Sequence, residues 1–238
     1  MVAIITQARI NSSRLPNKIF LEAAGTPFLG HHINRLKKTG LAIIVATTNN
    51  GSEKPIVDFC EKENIPCFCG DENNVLKRYY ECAKKYGVTT IIRVTSDCPL
   101  IDAEIITNGL KAYQESNTKT YYSNTIERTY PRGMDYEIFS FALLEEAFLN
   151  ANDDADKEHV TPYIWKNKSG NVTIKNDKNI DDNSEFRITL DTYEDQLLLT
   201  GLIEQHHANN LDCKAIVQVL KENPVLADIN KFIEQKKV

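Results

Sequence analysis

Short apolar runs alternate with helix-spaced segments through the first half of this chain, and that rhythm limits the fold more than any other feature. Residues 2–6 form an apolar run, and residues 28–38 carry Leu29, Ile33 and Leu36 at helical spacing. Residues 41–47 are a second run, after which Ser52 is placed to cap a helix through Cys60 with Pro55 in its first turn. Residues 66–69 are a third strand, and residues 74–86 a helix that stops at Gly87. Residues 88–95 are a fourth strand, and Asp102 opens a helix through Tyr113. The stretch Ile43-Ile44-Val45-Ala46 does not alternate with polar residues, as expected of a strand buried on both sides. The repetition predicts an α/β fold with a parallel sheet between two layers of helices.

The second half is less regular. Residues 120–124 and 134–139 read as strands separated by a turn at Pro131-Arg132-Gly133. Residues 141–150 and 159–166 read as helices, 171–175 and 186–190 as strands, and 176–184 as a polar connection. Two helices follow, over residues 193–206 and 213–222. In sheets of this kind ligands bind beyond the carboxyl ends of the strands. The segments after Thr6, Thr47, Thr95, Phe139 and Leu190 therefore hold the candidates for function.

Composition narrows the field. With 238 residues and 42% apolar content the chain can bury one large core. A net charge of −5 excludes the broad basic face that a nucleic-acid polymer requires, though not a local basic pocket. Met1 runs straight into the first strand with no charged leader, and no apolar run nears the ~20 residues of a membrane helix. The six cysteines lack paired CxxC spacing and read as reduced thiols of a cytoplasmic protein. Zinc on Cys67 and Cys69 is a weaker reading than small residues in a strand.

Residues 7–18 read Gln-Ala-Arg-Ile-Asn-Ser-Ser-Arg-Leu-Pro-Asn-Lys and gather the cations Arg9, Arg14 and Lys18 with the hydroxyls of Ser12 and Ser13. A triphosphate needs several cations and N–H donors at close range. The loop matches neither GxxxxGK[ST] nor GxGxxG, and its competing reading is a solvated basic loop. Strand four ends in Thr95-Ser96-Asp97-Cys98-Pro99, which suits Asp97 to a hard cation or to capping a turn. Asp102 has the simpler role of helix cap. Arg187-Ile188-Thr189-Leu190-Asp191-Thr192 repeats the strand–aspartate–helix order; Asp191 or Thr192 can cap the following helix, and Asp191 on metal with Thr192 as cap is the preferred division. Asp135 and Glu137 share one face of a strand, either at a ligand site or on an exposed edge. His159 is a candidate; His31, His32, His206 and His207 read as ordinary helix residues.

Gln7-Ala8-Arg9, Ser12, Arg14-Leu15-Pro16 and Lys18 resemble the nucleotide-binding signature of the sugar-acid cytidylyltransferases. The group is the spore-coat polysaccharide and acylneuraminate cytidylyltransferase-like one, related to the CMP-KDO and CMP-sialic acid synthetases. Asp97, Asp191, Gly133-x-Asp135-x-Glu137 and Glu158-His159-Val160-Thr161-Pro162 resemble further motifs of that family. Asn11, Asn17 and Ser96 stand where glycine is usual.

The resemblance implies a Rossmann-like, mostly parallel sheet of the nucleotide-diphospho-sugar transferase type. It implies a single domain over residues 1–238, with 120–176 as a β-containing insertion near the sugar and the dimer contact. It implies that CTP is held by Ala8, Arg9, Ser12, Arg14 and Lys18, Mg²⁺ by Asp97 and Asp191, and a sugar acid by Asp135, Glu137 and His159. Arg9, Lys18 and Asp97 would act in catalysis, in a cytoplasmic homodimer that serves surface polysaccharide biosynthesis. Tyr121, Tyr122, Tyr130, Tyr163 and Trp165 suit a dimer contact, or else the core of that insertion. The competing functions are a glycosyltransferase using a nucleotide sugar, whose Asp-x-Asp is replaced here by Asp97-Cys98-Pro99, and a nucleotide-binding regulatory module without catalysis.

Overall fold

Alternate residues of the first strand enter opposite cores, as a strand covered on both faces must. In the computed structural model, which describes residues 1–234, β1 (Val2–Gln7) sends Ala3 and Ile5 to one apolar cluster and Ile4 to another. A hairpin of β2 (Glu22–Ala23) and β3 (Thr26–Pro27) leads into α1 (Phe28–Lys37). Strand β4 (Ala42–Thr48) likewise divides Ile44 and Ala46 from Ile43 and Val45. The alternation continues through α2 (Lys54–Glu63), β5 (Cys67–Gly70), α3 (Val75–Lys85), β6 (Thr90–Thr95) and α4 (Ala103–Gln114). Strands β5, β4, β1 and β6 are neighbours in that order, all parallel.

The second half extends the same sheet. Strands β7 (Thr120–Ser123) and β8 (Glu137–Ser140) are followed by α5 (Phe141–Asn150), α6 (Asp154–His159), α7 (Pro162–Trp165) and β9 (Thr173–Asn176). Strand β8 pairs antiparallel with both β6 and β7, and β9 lies parallel to β7, so the main sheet has seven strands among the described residues. The fold is therefore the expected α/β one, with a mostly parallel sheet between helices. Residues 120–176 thread their strands into the main sheet, and Tyr121 is fully buried there. Tyr122, Tyr130, Tyr163 and Trp165 pack against this chain's own cores. Helices α8 (Tyr193–His206), α9 (Cys213–Glu222) and α10 (Pro224–Ala227) close a third cluster with Phe28, Leu100 and Ile188. No helix of the described residues is long and apolar enough to cross a membrane.

Local chemistry explains where the elements differ from expectation. Ser52 does not cap α2: its hydroxyl donates to Asn50 Oδ1 at 2.7 Å, and Glu53 stands at the cap position. The helix expected over 159–166 is confined to α7, because His159 ends α6, Val160 turns with φ 72° and Pro162 begins α7. Residues 186–190 form no strand; a single bridge joins Arg132 to Arg187. Residues 134–136 stay outside β8 because the Asn124 side chain serves their backbone, donating to the Met134 carbonyl at 2.7 Å and accepting from Tyr136 N–H at 3.0 Å. Glu137 opens β8, an inner strand, and is buried, so it does not lie on an exposed edge.

Candidate active site at the carboxyl ends of the central strands

Where β1 ends, Ala8 is still part of the sheet, buried, with its N–H donated to the Ala46 carbonyl at 3.1 Å. That N–H is therefore spent on the fold. The chain then leaves the surface as a loop in which Arg9, Asn11 and Arg14 are exposed and Ser12 half-buried, and Arg9, Ser12 and Asn17 line an open groove. Asn17 turns the chain back with φ 55° and ψ 22°, the left-handed conformation for which glycine is usual. Asn11 has no positive φ.

Behind that turn a short 3-10 helix (Lys18–Phe20) carries Lys18 inward. Lys18 is not a surface loop cation: it is buried, with Nζ 2.8 Å from Asp191 Oδ1 and 3.2 Å from Asp97 Oδ2. Burial opposes its charge, but the adjacent Asp97 and Asp191 carboxylates outweigh it and raise the Lys18 pKa. For Asp97, burial acts upward, and Lys18 with hydrogen bonds from Thr95 and Lys18 brings the pKa down to about 2.

Asp191 is also held by Arg14, at 3.3 Å from Oδ2, and by Arg187, at 3.0 Å from the same oxygen. Thr192, not Asp191, caps α8, in a reciprocal capping box with Asp195. Asp102 caps α4, accepting from Glu104 N–H at 2.8 Å. The capping roles expected of Thr192 and Asp102 are thus present, and Asp97 and Asp191 face a shared position that Lys18 occupies.

Several residues that aim this pair escaped the sequence reading. Asp195, with 0% exposure, accepts from Arg187 Nε and Nη2, each at 2.8 Å, and from the N–H groups of Asp191 and Thr192 at 2.9 and 3.0 Å. Asn230 donates to Asp195 at 2.7 Å, so the C-terminal segment closes over the same carboxylate. The Thr192-x-x-Asp195 capping pattern was the available signal. His32 is fully buried; Nδ1 lies 2.9 Å from the Cys98 carbonyl and Nε2 2.9 Å from Thr6 Oγ1. A carbonyl only accepts, so Nδ1 carries the proton and Nε2 accepts from Thr6. Burial lowers the His32 pKa to about 4, and the neutral ring ties α1 to the turn that carries Asp97. The Asp97 carbonyl in turn accepts from Leu190 N–H at 2.8 Å and Thr189 Oγ1 at 2.9 Å, locking the two aspartate segments together.

The pair fits a hard divalent cation in one respect that the chain itself displays: two carboxylate oxygens converge on the Lys18 ammonium, a cation already held at that position. Among the described residues no group of three or more His, Cys, Asp or Glu side chains could hold a metal ion alone. Mg²⁺ typically uses one or two carboxylates and completes its shell with phosphate oxygens and water.

A cavity of about 350 Å³ is lined by Thr95, at the end of the strand that leads to Asp97, and by Asp135, Glu137 and His159, the three residues expected near a sugar. Glu137 is saturated by the protein. Its Oε1 accepts from Tyr121 Oη and Thr161 Oγ1, each at 2.5 Å, and its Oε2 is paired with Arg93. Asp135 is held by both arms of Arg128 at 2.5 and 2.7 Å. His159 stands at the end of α6, and Thr161 N–H donates back to its carbonyl at 2.8 Å across Val160. A β-branched residue at φ 72° and ψ −53° is strained, and the burial of Val160 in the core holds it there.

An open α/β sheet with a basic loop after its first strand and two converging carboxylates has the architecture of a nucleotidyltransferase. The chain matches the family model described as "Cytidylyltransferase" over residues 3–237, and it belongs to that family. The spore coat polysaccharide biosynthesis protein SpsF of Bacillus subtilis is 24% identical over 233 residues, covering 94% of this chain and 95% of its own. A cytidylyltransferase structure from Leptospira borgpetersenii superposes with a TM-score of 0.89 at 30% identity, covering 99% of both chains. A CMP:2-keto-3-deoxy-manno-octonic acid synthetase complexed with CTP superposes with a TM-score of 0.63 at 16% identity, over 86% of this chain and 99% of that one, and shares the fold.

Proposed function

We propose that this protein transfers the CMP unit of CTP to a hydroxyl of a sugar acid and releases pyrophosphate. The observation that carries the reading is the convergence of Asp97 and Asp191 on one cation position next to the basic loop, whose Arg14 reaches Asp191. The acceptor oxygen bonds to the α-phosphorus as the bond to the pyrophosphate oxygen breaks, and the hydroxyl proton passes to solvent. Mg²⁺ held by Asp97 and Asp191 would neutralise charge on the phosphates and polarise the α-phosphoryl group. Arg9, Arg14 and, once Mg²⁺ displaces it from the Asp97–Asp191 pair, Lys18 would hold the triphosphate and stabilise the departing pyrophosphate, with Ser12 lining the groove. The Ala8 N–H belongs to the sheet, so Ala8 shapes the turn. Asp135 and Glu137 build the acceptor walls through the groups they hold, and His159 faces the acceptor.

The SpsF relationship supports a place in polysaccharide biosynthesis, and a cytoplasmic location follows from where CTP is made. A homodimer belongs to the same reading. Its support is Ile126 and Ile180, 43% and 100% exposed, on neighbouring segments joined where Asn179 N–H donates to Thr129 Oγ1 at 2.7 Å. A monomer by light scattering at micromolar concentration contradicts that part alone. The reaction is tested by pyrophosphate release with four nucleoside triphosphates against a panel of sugar acids. Release confined to CTP and dependent on the acceptor is expected. A tightly bound nucleotide with no release from any pairing argues for a regulatory module instead.

A further inference from the structure

One residue of the loop motif, Gln7, has no part in the reaction derived above. It is the last residue of β1, with Arg9 two positions on, and its backbone carbonyl accepts at 3.1 Å from the N–H of Ser96, the residue before Asp97. The strand register sets Gln7 beside Thr95, which lines the cavity. Alternate residues of a strand share a face, so Gln7 lies on the side of the sheet that buries Ala3 and Ile5. Arg93, two residues on from Ile91 of the same cluster, shares that side, and its Nη2 donates to Gln7 Oε1 at 3.1 Å.

That contact fixes which way the amide points. A guanidinium only donates, so the atom facing it is the carboxamide oxygen, and the Nε2 group is turned away. Among the described residues the bond to Arg93 is the only hydrogen bond of the half-buried Gln7 side chain. Arg93 is itself held in place: Glu137 pairs with it, and its guanidinium lies 5.6 Å from the centre of the buried Tyr79 ring. A fixed amide thus presents two N–H donors where the loop begins and the cavity wall starts. The residue type suits both neighbours. A cation here would repel Arg93, and a carboxylate would repel phosphate; a neutral amide accepts from Arg93 at one atom and donates from the other.

We propose that Gln7 is a further catalytic residue: its Nε2 donates to a non-bridging oxygen of the α-phosphate, and Arg93 acts through it as a positioning residue. The proposal rests on the cytidylyl-transfer reading. The α-phosphate is the group assigned to this spot because it alone has to face the carboxylate pair, the loop and the acceptor at once. In the step, the acceptor oxygen bonds to the α-phosphorus. The bond to the pyrophosphate oxygen breaks, its electron pair leaves with pyrophosphate, and the acceptor's proton passes to solvent. Gln7 keeps both its protons. Charge on the non-bridging oxygens meets a donor that is already aimed and needs no reorganisation as the new bond forms.

The test compares wild type with Gln7→Glu and Gln7→Met. Glutamate keeps an oxygen that accepts from Arg93 and removes the donor; methionine keeps the length and removes both. Calorimetry with α,β-methylene-CTP and Mg²⁺, and separately with CMP, gives binding without turnover. Single-turnover pyrophosphate release with CTP and a panel of sugar acids gives the step, and thermal melting reports the fold. Gln7→Glu should melt no lower than wild type, bind both nucleotides about 30-fold more weakly and slow the step about 30-fold. Gln7→Met should melt lower and lose about tenfold in both binding and rate. A role confined to holding Arg93 gives the reverse order, with Gln7→Glu like wild type and only Gln7→Met impaired, and that result overturns the assignment. So does weaker binding of the CTP analogue with CMP binding unchanged, which moves the contact beyond the α-phosphate. Gln7-dependent binding of both nucleotides without pyrophosphate release from any pairing instead overturns the reaction and leaves the contact standing.

Discussion

The loop side and the cavity side of this site, proposed above for triphosphate and acceptor, are built in opposite ways. Arg9 and Arg14 stand exposed on a loop; Arg9 lines an open groove, and Arg14 reaches back to Asp191. Across the carboxylate pair, Arg93 and Arg128 are locked to Glu137 and Asp135 before any ligand arrives. A triphosphate carries enough charge to order flexible cations around itself. A small sugar does not, and its binding gains from walls whose ordering was completed in folding. The same residue types therefore have different consequences on the two sides: loss of a loop cation affects binding, whereas loss of a wall charge affects folding as well.

The largest effect is expected where the sides meet. Asp97→Asn retains the shape but not the charge; turnover should fall about 100-fold, and Tm should fall as well because buried Lys18 loses one of its two counter-charges. A Mg²⁺ titration of pyrophosphate release that superposes on wild type removes Asp97 from cation binding. Glu137→Gln leaves the buried Arg93 guanidinium without its counter-charge and should cost about 3 kcal/mol of stability, read from urea unfolding. A fully stable Glu137→Gln protein would break the contrast drawn above.

His32 gives a pH-dependent effect of about the same size. Its folded pKa, about 4, lies below the ordinary 6.5, so the folded state favours the neutral ring. The associated stability is complete above pH 6.5 and is lost as the pH falls towards 4, by about 3 kcal/mol at most. His32→Asn keeps a donor for the Cys98 carbonyl and cannot titrate. Unfolding curves of this variant should be flatter between pH 6.5 and 4 than those of wild type, and identical slopes argue that His32 is not responsible. The smallest effect on the fold belongs to Arg9→Ala. KM for CTP should rise about tenfold with Tm unchanged, because the side chain is exposed. A change in acceptor KM alone would put Arg9 on the wrong side of the site.

The same contrast decides what could be read from sequence. The parallel half was legible because β1 and β4 bury both faces and because α3 and α4 carry their own caps, Asn74 and Asp102. The basic loop was legible because its residues are contiguous. Lys18 was misplaced by that contiguity: the left-handed turn at Asn17 puts it inside, where both aspartates are distant in sequence. The acceptor side resists such reading because its partners come from separate strands. Nothing local to Glu137 announces Tyr121, Thr161 and Arg93, and nothing local to residues 134–136 shows that Asn124 replaces a neighbouring strand. Gln7 was visible in the loop motif, but the direction of its amide is set by Arg93 and is a property of the assembled sheet.

The central claim is that CMP passes from CTP to an acceptor over the Asp97–Asp191 pair. It is tested most directly by a single-turnover reaction with CTP labelled at the α-phosphorus, a sugar acid, and Mg²⁺, with wild type and Asp97→Asn compared. The label should move to a CMP–sugar as unlabelled pyrophosphate is released in equal amount, and the step should slow about 100-fold in the variant. Label that stays in CTP with every sugar acid, or that appears as free CMP at the same rate without an acceptor, would contradict the account.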